Sequence, residues 1–140
     1  MASASTSISA ATSGADTAAA LLRVTSGALF VAHAALKIFV FTPAGTAGYF
    51  ESIGLPAVLA YVTIAVELLG GIALIAGFKT RIVSLALVPV LLGAAWFGHG
   101  ANGFFFSNAN GGWEYPVFWA VVMVAQALMG AGAWAMDDRA

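Results

Sequence analysis

Apolar positions along this chain fall into four long, near-continuous runs, at about residues 18–41, 57–77, 82–101 and 115–136. Each run has roughly 20 or more residues, enough for a helix to cross ~30 Å of hydrocarbon. Unbroken apolarity favours helices over barrel strands, whose residues alternate. The pattern predicts an all-α protein, an integral membrane four-helix bundle. Polar segments punctuate the runs. The first connector, 42–56 (TPAGTAGYFESIGLP), ends with Pro56, which is predicted to open the second span. Within it, residues 46–53 are predicted to form a short interfacial helix ended by Gly54. The second connector is only Phe78, Lys79, Thr80 and Arg81. The third, 102–114, is rich in Gly and Asn and carries Phe104, Phe105, Phe106 and Trp113, aromatics suited to the headgroup layer. Residues 1–17 (MASASTSISAATSGADT) read as a disordered tail. No Lys or Arg precedes Arg23, so no cleaved secretory leader is expected.

Composition strengthens this reading. Of the 140 residues, 61% are hydrophobic and 8% are charged, against roughly 25% charged in soluble domains. With 5 Lys+Arg and 6 Asp+Glu, the charges cannot cover a water-exposed surface, which excludes a soluble monomer. A net charge of −1 leaves no electrostatic footprint for nucleic acid. The chain has no cysteine, which excludes disulfides, iron–sulfur ligation and thiol catalysis. Any redox role needs a bound cofactor or a partner. Lys79 and Arg81 occupy the second connector, Arg23 the start of the first span and Arg139 the C-terminal tail, whereas the first and third connectors hold no Lys or Arg. The positive-inside rule then places both termini and the 78–81 loop in the cytoplasm, with the lipid bilayer as the main partner. Small-xxx-small pairs at Ala28/Ala32, Ala73/Gly77, Ala94/Gly98 and Ala127/Ala131 permit close helix packing, and Pro89 is a kink site in the third span.

Ionisable groups inside apolar runs are costly if they face lipid, so they are the informative residues. Arg23, Ser26, His33 and Lys37 fall within an arc of about 80° at ~100° per residue, one polar stripe on the first span. Glu67 lies near the middle of the second span, with Thr63, Gly70 and Gly71 on its face. At 1.5 Å per residue, His33 should lie ~5 Å outward of its helix midpoint and Lys37 ~11 Å, with His99 at a similar depth. Glu114 comes at the outer mouth. His33, Lys37, Glu67, His99 and Glu114 therefore gather in the outer half, where His33–Glu67 and Lys37–Glu114 pairs are feasible and Gln126 can join from mid-depth. Simpler roles stand beside this one. Arg23 and Lys37 can snorkel to headgroups, Glu67 can tie helices together, His99 can be solvated, and Glu114 can meet a helix dipole. Bis-His haem ligation is disfavoured, because His33 and His99 differ in depth by ~6–7 Å. No paired Glu-x-x-His motif suggests a metal site, and no nucleophile elbow or phosphate loop occurs. What remains is a polar pocket for a small polar-headed molecule such as a quinone, or for protons.

The segments LLRVTSGALFVAHAALK, YFESIGLP and ELLGGIALIAGFKTR, a His closing the third span, then NGGWEYPVFW and a closing GAG, together resemble the DoxX family over roughly 21–136. The family usually has Gly after the first-span His; here Ala34 follows His33. The resemblance implies a four-span bacterial inner-membrane protein, with residues 18–140 as one DoxX-like domain. It also implies links to membrane-associated oxidoreductase complexes, including thiosulfate:quinone oxidoreductase subunits. It carries the family's polar positions onto Arg23, His33, Lys37, Glu67, Arg81, His99 and Glu114, but transfers no catalytic mechanism. The leading expectation is an accessory subunit of a quinone-linked oxidoreductase, joined to a protein partner in a membrane complex, with no covalent cofactor. In it, Lys37 and His33 would donate to a carbonyl-type oxygen and Glu67 would relay a proton. The alternatives are a proton-coupled small-solute transporter and a purely structural assembly subunit.

Overall fold

The computed structural model describes residues 11–137; residues 1–10, most of the expected tail, and 138–140, including Arg139, lie outside the described residues. Among the described residues all regular structure is helical. Helix α1 (Gly14–Ala35) opens on a capping box: Ser13 Oγ accepts from the Asp16 N–H at 3.0 Å, and the Asp16 carboxylate accepts from the Ser13 N–H at 3.2 Å. Two backbone donors are thereby satisfied, and the helix starts at Gly14, inside the stretch read from sequence as tail. A π turn, Leu36–Val40, extends α1. Helix α2 (Pro43–Ser52) starts three residues before the expected 46, because Pro43 fits the first helical position and Thr42 Oγ1 accepts from the Gly45 N–H at 3.1 Å.

Helix α3 (Val58–Ala76) ends in a Schellman turn. Gly77 takes φ 71°, the Phe78 N–H reaches Ala73 O at 2.8 Å, and the Gly77 N–H reaches Leu74 O at 3.1 Å. Helix α4 (Thr80–Gly93) contains Pro89 and continues through a second π turn, Ala94–Gly98. Helix α5 covers Glu114–Met129. Three helical segments, Gly14–Val40 (27 residues), Val58–Ala76 (19) and Thr80–Gly98 (19), are long and apolar enough to cross a membrane, and α5 is a shorter apolar helix.

The fourth run therefore does not stay helical to residue 136. Gly130 and Gly132 adopt φ 84° and 71°, and the chain turns back as an irregular strap, 130–137. The strap is stitched to the rest by the Ala133 N–H to Asp16 O (3.0 Å), the Met136 N–H to Ala76 O (3.0 Å) and the Asp137 N–H to Gly77 O (2.8 Å). Its apolar composition imitates a helix end, but its backbone serves as a set of donors and acceptors.

Helix α1 packs on α3, α4 packs on α5, and α3–α4 contacts join the two pairs. The α1–α3 crossing is set by two glycines: a Cβ on Gly27 would stand 2.7 Å from Gly71 O, and one on Gly71 would stand 2.7 Å from Gly27 O. The predicted pair Ala28/Ala32 is instead exposed, because the backbones approach one residue round the helix. Phe30, Leu74, Leu87, Leu91, Ala120 and Met123 form the apolar core. The polarity of the molecule is inverted relative to a soluble protein. Arg23, Ser26, Glu67, Thr80, Ser84 and Gln126 are buried, while Leu21, Leu69, Ile82, Phe118, Val121 and Leu128 are exposed. Such an exterior suits hydrocarbon.

Arg23, only 1% exposed, closes one end of this bundle. Its Nε donates to Ala131 O (2.8 Å), Nη1 to Leu74 O and Ile75 O (both 2.7 Å), and Nη2 to Ala133 O (2.9 Å) and Trp134 O (3.2 Å). A guanidinium has five N–H groups, and all five are used. Arg23 does not snorkel to headgroups, as one sequence reading allowed, because the strap brings carbonyls to it. Asp137 fastens the other end of the strap, accepting from the Lys79 N–H (2.6 Å) and the Thr80 N–H (2.8 Å) at the start of α4. Partial burial works against the charged carboxyl, but these N–H groups and the nearby Arg23 hold it below the usual carboxylate range. It contributes at neutral pH, and that contribution is lost only as pH falls through the lowered pKa.

Arg23→Gln should leave several carbonyls unpaired and cost about 3 kcal/mol or more. Arg23→Lys, with at most three donors, should rescue little of it. Thermal unfolding in detergent reads the effect, and a midpoint unchanged in both variants would contradict this role.

Candidate functional site

Two ends of the bundle carry the polar side chains: a basic end, with Arg23, Lys79 and Arg81, and an opposite end beside α2. At the α2 end, Lys37 Nζ meets Glu67 Oε2 at 2.8 Å, with side-chain exposures of 17% and 7%. Helix geometry explains the pairing. Side chains lean toward the N-terminus of their own helix, so Lys37 leans back along α1 toward mid-bundle, where the antiparallel α3 offers Glu67. The pairs considered from sequence, His33–Glu67 and Lys37–Glu114, do not form, and Lys37 does not snorkel outward. His33 instead faces Trp119, with ring centroids 5.4 Å apart, and Trp119 stacks on Phe30 at 4.3 Å. His33 remains within electrostatic range of Lys37.

His99 follows the second π turn. Its Nδ1 lies 3.0 Å from Gly111 O, and its Nε2 lies 3.0 Å from the Tyr115 hydroxyl. A carbonyl only accepts, so Nδ1 donates to Gly111 O; in the tautomer with its single proton there, Nε2 accepts from the Tyr115 hydroxyl. Both ring nitrogens are thus engaged. Tyr115 is in electrostatic range of Glu67 and Tyr49. Tyr49 on α2 covers the same region: its hydroxyl would lie 3.7 Å from a Cβ on Gly98. Glu114 is turned aside and accepts from the Phe106 N–H at 2.8 Å, ordering the loop before α5. Both π turns fall at this end, one containing Lys37 and one immediately before His99. Such turns are frequent where function is placed. Beside the cluster, a groove of about 550 Å³ is lined by Phe104, Trp113, Glu114, Tyr115, Val117, Phe118 and Val121.

The remaining sequence candidates lie elsewhere. Arg81 Nη1 donates to Ala127 O (2.7 Å) and Leu128 O (2.8 Å), capping α5. Gln126 is fully buried toward the basic end and donates to Ala19 O (3.2 Å) and Gly130 O (2.8 Å). Ser26 is buried on the interior face of α1 beside Arg23. These groups brace the bundle. No group of three His, Asp or Glu capable of holding a metal occurs among the described residues.

Tyr115, Trp119 and Tyr49 were not singled out from sequence. Aromatics near span ends read as interfacial anchors, and only the position of Tyr115 next to Glu114, opposite a third-span His, hinted at more.

Exposed apolar helices around buried polar side chains define a helical membrane protein. Residues 18–100 match the DoxX family, and the chain belongs to it. A Bacillus subtilis (strain 168) protein named "Putative oxidoreductase CatD" is 43% identical over 74 residues; the alignment covers 53% of this chain and 54% of that protein, so the chain spans about half the length of that relative. An "Uncharacterized protein" of Haemophilus influenzae is 32% identical over 122 residues, covering 86% of this chain and 88% of the relative. No solved structure gives a significant match. The family match takes in Lys37, Glu67 and His99 and ends before Tyr115 and Trp119.

Breaking a buried ion pair from one side strands the other charge, at about 3–5 kcal/mol. Lys37→Met and Glu67→Leu should each destabilise strongly, and the double variant should recover most of the loss. Thermal unfolding in detergent checks this cycle, and simple additivity would show that the two side chains do not depend on each other.

Proposed function

We propose that this protein is a multi-pass subunit of an oxidoreductase system in the bacterial inner membrane, and that its α2-end groove receives a quinone-like ring. Both termini and the basic end face the cytoplasm, and α2 lies in the outer interface. Support for this orientation comes from Lys79 and Arg81 sharing one end with Arg23, while Lys37, toward the opposite end, is turned inward to Glu67. The oxidoreductase assignment extends the printed name of the Bacillus relative to this chain.

One observation carries the ligand reading: the aromatic groove of about 550 Å³ has Tyr115 in its wall, and the Tyr115 hydroxyl lies 3.0 Å from His99 Nε2. Its volume falls in the range of small-molecule pockets. Phe104, Trp113 and Phe118 present flat apolar faces to a ring. The Tyr115 oxygen keeps its lone pairs free to accept from a ring hydroxyl, while its own proton can pass to His99 Nε2. Glu67 and Lys37 set the field behind this pair. Since Lys37 is committed to Glu67, the direct contact with a ring oxygen moves from Lys37 and His33 to Tyr115. The chain has no cysteine, so an electron carrier belongs to a cofactor or partner subunit.

Quinone extraction from protein purified out of native membranes tests this reading. The wild type should retain quinone. Val121→Trp, which fills the exposed groove, should abolish retention, and Tyr115→Phe should weaken it about tenfold, one hydrogen bond's worth. No quinone in the wild type, together with unchanged partner activity in both variants, would overturn it in favour of a purely structural subunit.

A further inference from the structure

The basic end holds a second cavity, of about 350 Å³, between the start of α4 and the end of α5. Its lining carries both signs of charge: Lys79 and Arg81 together with Asp16 and Asp137, and also Thr80 and Met129. Arg81 spends Nη1 on the α5 carbonyls. Its Nε and Nη2 groups have no partner among the described residues. Gly130 leaves room for them, since a Cβ there would stand 3.0 Å from Arg81 Nη2. The Thr80 hydroxyl is fully buried, close to Asp137, and makes no hydrogen bond of good geometry. The Asp137 carboxylate accepts two backbone N–H groups. A carboxylate has about four acceptor sites, so capacity remains for a cation. Ile82, in the cavity lining, and Leu128, next to the lining residue Met129, are 68% and 75% exposed and belong to the apolar exterior.

From this arrangement we infer that the cavity binds the headgroup of a zwitterionic phospholipid bearing a primary ammonium. The inference rests on the reading that the basic end lies in the cytoplasmic headgroup layer. The phosphate pairs with the free edge of the Arg81 guanidinium and with Lys79. The ammonium turns to Asp137, and the acyl chains lie along Ile82 and Leu128. An anionic glycerol headgroup would leave the Asp137 carboxylate facing a ligand with no cation. A quaternary ammonium would have no N–H to donate to it.

Native mass spectrometry of the full chain, released from detergent into gas phase, tests the assignment without reference to quinone or enzymatic activity. Phosphatidylethanolamine, phosphatidylglycerol and phosphatidylcholine are offered in turn, with soluble phosphoethanolamine as a fourth probe. Phosphatidylethanolamine should be retained in preference to the other three. Arg81→Gln and Lys79→Gln should each lower that retention roughly tenfold, the loss of a charge-assisted hydrogen bond. Arg81 also caps α5, so the exposed Lys79 variant keeps the test independent of folding. Equal retention of the three lipids, or retention unchanged in Lys79→Gln, would overturn the assignment. Tighter binding of soluble phosphoethanolamine than of the lipid would overturn the lipid source.

Discussion

A guanidinium removed from water must replace every hydrogen bond it gives up, and the basic end of this bundle is organised around that demand. Arg23 projects from α1 into the space between the end of α3 and the returning strap, and each of its five N–H groups finds a backbone carbonyl. Leu74 O and Ile75 O belong to the last turn of α3, where carbonyls lack helical partners and carry the negative end of the helix dipole. Ala131, Ala133 and Trp134 supply the others, which obliges the chain to leave helical geometry at Gly130. One cation thus satisfies the last carbonyls of α3, holds the strap that follows α5 and ties both to α1. Close glycines make the room: a Cβ on Gly77 would meet Arg23 Nη1 and Ala135.

The same economy of polar contacts divides the interior into layers. Along α1, Arg23 and Ser26 precede Phe30, and His33 and Lys37 follow it. Along α4, Thr80 and Ser84 precede Leu87 and Leu91, and His99 follows them. Along α5, Tyr115 comes first, then Ala120 and Met123, then Gln126. Two polar layers are therefore separated by the apolar cluster of Phe30, Leu74, Leu87, Leu91 and Met123. A proton or solute crossing the bundle would have to part that cluster, which counts against the transport alternative. Chemistry confined to the α2 end is compatible with it, and so is a separate lipid site at the basic end.

The parts legible in sequence were those that lipid itself dictates. Four apolar runs gave four helices, because hydrocarbon leaves the backbone few other choices. The stripe of Arg23, Ser26, His33 and Lys37 was visible because α-helical spacing puts them on one face. Their partners were not visible. The carbonyls that satisfy Arg23 come from main chain in an apolar stretch, GAGAW, that composition cannot distinguish from a helix end. The Lys37–Glu67 pair depends on side-chain direction and on the α1–α3 register at Gly27 and Gly71, which small-residue spacing alone misplaced onto Ala28 and Ala32. Tyr115 and Trp119 were concealed by being aromatic near a membrane surface, where such residues have an ordinary explanation.

All of this presumes that lipid surrounds the exposed Leu, Ile and Phe side chains and that opposite ends of the bundle face different compartments. The absence of cysteine makes the direct measurement simple: single cysteines introduced as Phe78→Cys and Ser107→Cys, labelled with a membrane-impermeant thiol reagent in intact cells and in inverted vesicles. The account predicts Ser107→Cys labelling only from outside the cell and Phe78→Cys labelling only in inverted vesicles. Labelling of both positions from the same side would contradict it.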